Sequence, residues 1–327
     1  MRKVLLSLLI VSALAVNAQQ DPQFTQNFAN KLYNNPGFAG MNGAICATGI
    51  VRQQWLGFDG APKQIVFSGH SPILGKLDIP LLNLGVGLSF SNDVIGQFSI
   101  NQIKLAIANR FVINNVGTIS AGFGLGTQGV SIDGTKFVPS DGIEALGYDP
   151  NLLAKASAKD YGFDMDFGLY YRSTDEKIFA GVSMMHITQS QLEGQKDGAQ
   201  SNKYQVESNL YIMGGYRYPL TPEWELIPSV FVKTEFSTTQ FDLNVLGEYK
   251  EMLWGGLSYR FQDAVAPMVG YRWNGGKFGV AKIGASYDVN TSKLNKYNSG
   301  TVEVFLNYCF KIIPKPKITI HKNPRWL

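Results

Sequence analysis

Apolar and polar residues alternate with a period of two in several long stretches of this chain. Over 161–171 the odd positions are Tyr161, Phe163, Met165, Phe167, Leu169 and Tyr171, and the even ones include Asp164 and Asp166. Over 224–236 the even positions are Trp224, Leu226, Pro228, Val230, Val232, Thr234 and Phe236, opposite Glu225, Ser229, Lys233 and Glu235. Phe241, Leu243, Val245 and Tyr249 oppose Asp242, Asn244, Glu248 and Lys250; Val302, Val304, Leu306, Tyr308 and Phe310 oppose Thr301, Glu303 and Asn307. A strand with lipid on one face and a polar lumen on the other must alternate in this way over about 9–11 residues. Aromatic residues close the apolar faces at both ends, as interfacial girdles do.

About fourteen such segments follow one another, centred near 50, 67, 87, 104, 122, 167, 182, 211, 230, 245, 257, 269, 282 and 306. The expected fold is therefore all-β: a transmembrane outer-membrane barrel of about 14 antiparallel strands. If both termini are periplasmic, the longest connections, 129–160 and 188–203, face outward together with 290–299, and the tight turns 173–176, 219–222 and 274–276 face inward. Longer outward loops and short periplasmic turns are the rule for such barrels.

The start of the chain agrees with export. Arg2 and Lys3 precede an apolar run over 4–16, and Val16-Asn17-Ala18 offers a cleavage site with Gln19 as the new N-terminus. Residues 1–18 read as a secretory signal peptide, too short for a spanning helix. No cysteine sits at the cleavage point, so a lipid anchor is not expected. After residue 18 no stretch approaches 18 apolar residues without a charge, although 45% of the chain is hydrophobic. The 35 Gly and the 5 Trp, 15 Tyr and 20 Phe are spread evenly, which suits strands. Net charge is only +4 and the basic residues are scattered, which gives no nucleic-acid groove.

Four motifs carry a family resemblance. They are Gln20-Asp21-Pro22-Gln23-Phe24-Thr25-Gln26, Asn35-Pro36-Gly37-Phe38-Ala39-Gly40, the run from Arg52-Gln53-Gln54-Trp55 through Gly60-Ala61-Pro62-Lys63, and Asn92-Asp93-Val94-Ile95-Gly96. In order and spacing they resemble the PorP/SprF family of the type IX secretion system across the whole mature barrel. The resemblance implies an outer-membrane protein needed for type IX secretion, in some members for gliding motility. It also implies, as partners, other secretion subunits and the C-terminal domain of one large surface protein. The chain departs from the family at Cys309, where Arg is expected, and in the basic tail over 311–327, with three prolines.

Individual residues carry paired readings. Arg52, Gln54 and Trp55 fall on the first strand, with Arg52 and Gln54 toward the lumen and Trp55 toward lipid; the run 57–63, with Gly60, Ala61 and Pro62, forms the first outward loop. This stretch is either a docking surface for cargo or translocon, or a structural turn whose Arg52 pairs with a lumen carboxylate. Lumen positions of both signs (Asp164, Asp166, Glu207, Arg217, Glu225, Lys233, Glu235, Asp242, Glu248, Arg260, Arg272, Glu303) suggest internal ion pairs and a filled interior rather than an ion-selective pore. The segment 19–43 is either part of that filling or a periplasmic leader.

Cys46 opens the first strand and Cys309 ends the last, strands that must pair to close a barrel, so a seam-locking disulfide is expected. Of the three histidines, His70, His186 and His321, only His186 with Ser183 offers a candidate pair, and strand parity sets the two on opposite faces. No metal-ligand spacing occurs, so neither cofactor nor catalytic site is expected. The tail, ending in Trp326 and Leu327, is apolar enough to dock on a periplasmic partner or the barrel rim by strand addition.

The expectation is a signal peptide (1–18), a periplasmic or plugging segment (19–43), a barrel (44–310) and a periplasmic tail (311–327). Its role is non-enzymatic: to support secretion and surface anchoring of a large cargo such as an adhesin. Two alternatives stand beside it, a structural subunit contacting periplasmic ring proteins and a transport barrel for small apolar solutes.

Overall fold

The structure is a computed structural model that describes residues 21–73, 83–132, 159–194 and 202–312. Fourteen antiparallel strands close into one barrel, as the alternation predicts. They are β1 (Ala44–Gln53), β2 (Lys63–Pro72), β3 (Leu84–Ile95), β4 (Phe98–Ile113), β5 (Gly117–Ile132), β6 (Lys159–Ser173) and β7 (Ile178–Met185). Next come β8 (Asn209–Tyr216, continued by Tyr218–Pro219), β9 (Trp224–Thr234), β10 (Thr239–Tyr249), β11 (Leu253–Arg260), β12 (Ala264–Asn274), β13 (Val280–Asn290) and β14 (Thr301–Lys311). Neighbours in sequence pair throughout, and β14 returns to β1 with Cys46 opposite Cys309 and Arg52 opposite Glu303. Among the described residues, closure leaves the barrel sheet with no free edge, the condition for strands in lipid.

Alternation sets the two faces. Outward, Val51, Ile65, Phe67, Leu88, Phe90, Ile103, Leu105, Phe123, Phe163, Leu243 and Leu306 are exposed, the apolar belt a bilayer requires. Inward, Arg52, Gln64, Ser68, Lys104, Asp164, Asp166, Asp242, Arg260, Asp288 and Glu303 are buried. The inner face is not purely polar. Ile50, Tyr170, Phe231, Trp254 and Phe305 share it and are buried. Phe305 stands between Glu303 and Asn307 on one face of β14, so polar neighbours hid an interior aromatic.

One end of the barrel carries the connections 54–62, 133–158, 186–208 and 291–300 (the loop end), and the other mostly tight turns (the turn end). The turn end also holds the connection 73–83 between β2 and β3, longer than its neighbours there. At the loop end, the connections β3–β4 and β11–β12 are tight. Loop length therefore separates the ends only for the longest connections. The signal segment 1–18 and the tail beyond 312, with His321 and Trp326, lie outside the described residues.

Candidate functional site

The lumen is occupied by the chain's own N-terminal segment. From Asp21 to Gly43 it runs through the interior as short turns, one of them the four-residue helix α1 (Lys31–Asn34), and emerges at the turn end to begin β1. Its loop-end part is held by charge. Glu303 accepts the backbone N–H groups of Thr25 and Gln26 at 2.8 and 2.7 Å. The hydroxyl of Thr25 bonds Asp288 at 2.8 Å. Arg52 joins these groups, its Nη2 2.8 Å from Asp288 and its Nη1 3.0 Å from Glu303, and Arg260 reaches Asp288 at 3.2 Å and Asp242 at 3.3 Å. All five charged side chains are buried, where breaking one pair strands its partner's charge.

A second cluster grips the segment at Asp21. The His186 ring lies with Nε2 3.1 Å from Asp21 and Nδ1 2.7 Å from Asp164, and Tyr211 donates its hydroxyl to Asp21 at 2.6 Å. Lys233 donates to the Asp21 carbonyl. Asp164, Asp166 and His186 lie close enough to suggest a metal centre. Lys104 decides against it: its Nζ is 2.8 Å from Asp164 and 2.7 Å from Asp166, so an ammonium occupies the place between the carboxylates. His186 lies just past the end of β7. Burial alone lowers its pKa, but the Asp21 carboxylate and the Asp164 hydrogen bond raise it to about 9. Burial also raises Asp21, yet His186, Lys233 and Tyr211 hold its carboxyl well below the usual range.

Two apolar clusters complete the plug. Phe24 and Tyr33 pack with Ile50, Val66, Trp254 and Phe305; Leu32, Phe38, Ala39 and Met41 pack with Tyr170, Met213 and Phe231. Lys31 lays its ammonium 3.7 Å from the Phe179 ring centre and donates to the Tyr170 hydroxyl at 3.1 Å. At the turn end, Arg110 and Arg172 donate to the carbonyls of Gly40 and Met41, each at 2.8 Å, and pin the segment where it leaves the lumen.

The sequence-selected residues separate. Arg52 is a buried lumen residue, 3% exposed, and is not part of a docking surface, because two carboxylates and Thr25 hold it inside. Strand β1 ends at Gln53, which corrects the placement of Gln54 and Trp55 on it: both lie in the first loop, and Trp55 has a positive φ of 45° that ends the extended run. Ala61 and Pro62 are buried, whereas Phe58 and Gly60 are exposed. Leu56 bonds Ser299 and Gly300 through the backbone, joining the first loop to the last. The expected opposition of Ser183 and His186 also fails. Both are buried, since His186 leaves the strand with φ 55°. Ser183 donates to the Asn34 carbonyl rather than to the imidazole.

Cys46 and Cys309 face each other across the seam with their sulfurs 2.11 Å apart. Sequence reasoning missed Asp21, Asp93, Lys104 and Asp288. Asp21 and Asp93 lie in two of the family motifs without being singled out there, and Lys104 and Asp288 stand as isolated polar positions inside strands, marked only by their spacing by two from other buried polar residues.

Comparison with known proteins fits this architecture. Among solved structures, the CymD monoaromatic hydrocarbon channel is similar with a TM-score of 0.54 at 10% identity, covering 88% of this chain and 93% of that one. A TodX monoaromatic hydrocarbon channel mutant gives 0.52 at 12%, covering 86% and 94%. The Pseudomonas putida toluene transporter TodX gives 0.50 at 11%, covering 89% and 95%. At such identities the likeness concerns the fold of an outer-membrane barrel. No curated protein sequence matches the chain. The pattern of the family described as "Type IX secretion system membrane protein PorP/SprF" matches residues 16–308, nearly the whole chain, and the protein therefore belongs to the PorP/SprF family of type IX secretion membrane proteins.

Proposed function

We propose that this protein is a non-enzymatic outer-membrane component of type IX secretion that holds one large secreted surface protein by docking that protein's C-terminal domain on the loop end. The observation that carries the reading is the filled lumen. Arg52 and Arg260 hold Thr25, and His186 and Tyr211 hold Asp21, so the lumen is occupied by the chain's own segment and offers no path to a polypeptide. The ends of the barrel are then its working surfaces. In this reading the loop end faces the exterior, and the turn end and the tail face the periplasm. The joined first and last loops, with Phe58 52% exposed, offer a docking ledge. An adhesin is the expected cargo, and gliding motility follows where that adhesin drives it.

Two other readings have some support. The turn end, with side chains of both signs such as Arg172, Arg217, Arg272, Glu176, Glu225 and Glu251, offers a charged surface for contact with periplasmic subunits of the machine. Likeness in fold to hydrocarbon channels favours a path for small apolar solutes, against which the buried ion pairs weigh. The test is affinity purification of the tagged protein from native outer membranes, with mass spectrometry. Recovery of one large secreted protein near equimolar amount supports the anchor. Ring and translocon subunits without cargo would replace it with the machine subunit, and neither, with solute uptake lost on deletion, with the transport barrel.

A further inference from the structure

Beside the plug lies a small cavity that borders the Asp21–His186 cluster. Asp21 and Tyr33 of the N-terminal segment line it, with Asp93 of β3, Gln102 of β4, Gln128 of β5 and Asn209 of β8. Its volume is about 20 Å³, enough for one small species. Two of the lining residues, Asp93 and Asn209, each carry a buried oxygen, Oδ1, with no hydrogen-bond partner among the described residues. Both residues are 2% exposed. Gln64, opposite Asp93 in the β2–β3 register, leaves its Oε1 unpartnered too.

Charge makes the cavity unusual. Asp164, Asp166, Asp242, Asp288 and Glu303 each face a buried cation. Asp93 is equally buried, yet no lysine, arginine or histidine among the described residues comes within ion-pair distance of it. Gln64 hydrogen-bonds it, but a carboxylate buried without a cation is costly, and such a group is neutralised, paired or bound to a metal. The lining offers carboxylate, amide and hydroxyl oxygens, with neither imidazole nor thiolate. That donor set selects a hard cation. A flexible, mixed set of carboxylate and amide oxygens suits calcium better than magnesium, which demands a near-ideal octahedron and keeps its waters.

We propose that this cavity is a calcium site, with the Asp93 carboxylate as the anchoring ligand and the Asn209 side-chain oxygen as the second. An ion there joins β3 to β8 across the lumen and lies against Asp21, so it fastens the plug at its loop-end tip. The inference is independent of which cargo or partner the barrel serves.

The full-length protein in detergent, stripped with EGTA and titrated with calcium chloride, tests it. Bound calcium is read by elemental analysis after desalting, and stability by thermal unfolding. The wild type is expected to retain close to one equivalent and to melt several degrees higher with calcium, with a smaller shift in magnesium. Asp93→Asn is expected to lose both effects and, in EGTA, to melt no lower than the wild type, because it removes an unpaired charge. Asn209→Ala keeps every charge and is expected to bind calcium more weakly. Absence of retained calcium in the wild type, or equal retention by both variants, overturns the site and leaves the cavity to water.

Discussion

Arg52 stands within 3.0 Å of both Asp288 and Glu303 and bonds Thr25 besides. Replacing it by alanine leaves the buried Glu303 without a cation and Asp288 with Arg260 alone. Loss of one member of a buried ionic group costs about 3–5 kcal/mol, so Arg52→Ala is expected to lower the melting temperature sharply and reduce the folded fraction seen by heat-modified electrophoretic mobility. Asp59→Ala, an exposed loop change, is expected to do neither. The His186 clamp gives a pH dependence whose sign follows from its neighbours. Its imidazole is raised to about 9, so its contribution is present below the ordinary histidine range and is lost as pH rises through about 9. Asp21 is lowered, so its contribution is present above the ordinary carboxylate range and is lost only in acid. The charged groups facing the ring are Asp21, Asp164 and Lys104, and Asp166 accepts the His186 backbone N–H. A thiol probe at Gln23→Cys is expected to react faster above pH 9, and at every pH when His186→Gln is added.

At the scale of elements, the plug fits because particular strand positions lack a side chain. A Cβ on Gly122 of β5 would stand 2.5 Å from the Pro36 carbonyl oxygen, and one on Gly85 of β3 would strike the Ala39 carbonyl. Backbone cannot yield as a flexible side chain does. Gly122→Val is therefore expected to leave the barrel closed but push the segment from its seat, seen as raised single-channel conductance in planar bilayers. Unchanged conductance with a resolved plug would refute that coupling. The strands themselves were readable, since lipid on one side and a filled lumen on the other impose a period of two. The plug was not readable in detail. Residues 21–43 have no period because they touch a curved wall of many strands, and their partners lie up to 278 residues away in sequence.

For the whole molecule, closure rests on one seam. Cys46 and Cys309 oppose each other where β1 meets β14. A bond joining residues 263 apart constrains the unfolded chain strongly, by a few kcal/mol, on the order of 3–5, in the loop-entropy account. Protein extracted without reductant is expected to resist thiol labelling, and Cys309→Ser is expected to melt lower while inserting normally. Free thiols in the extracted protein would remove the disulfide from the account. The lumen supplies the other test at this scale. Deleting residues 21–43 is expected to turn a sealed barrel into a conducting one while secretion of the cargo is lost or impaired. A deletion that stayed sealed would mean that the loops alone close the barrel.

Alternation and aromatic spacing alone determined an outer-membrane barrel of fourteen strands, because the bilayer acts on each strand separately and writes its demand every second residue. Family motifs determined the secretion system, and they include the leader, the first strand and its loop. Tertiary structure alone decided what those motifs do. Arg52 and Thr25 lie in different motifs yet share Glu303, a residue of neither. Asp21 meets His186 only once seven strands have curved the wall around the axis. Polar residues on the inner face read the same whether they line water or grip a plug, and the difference lies in which distant groups closure brings within 3 Å of them.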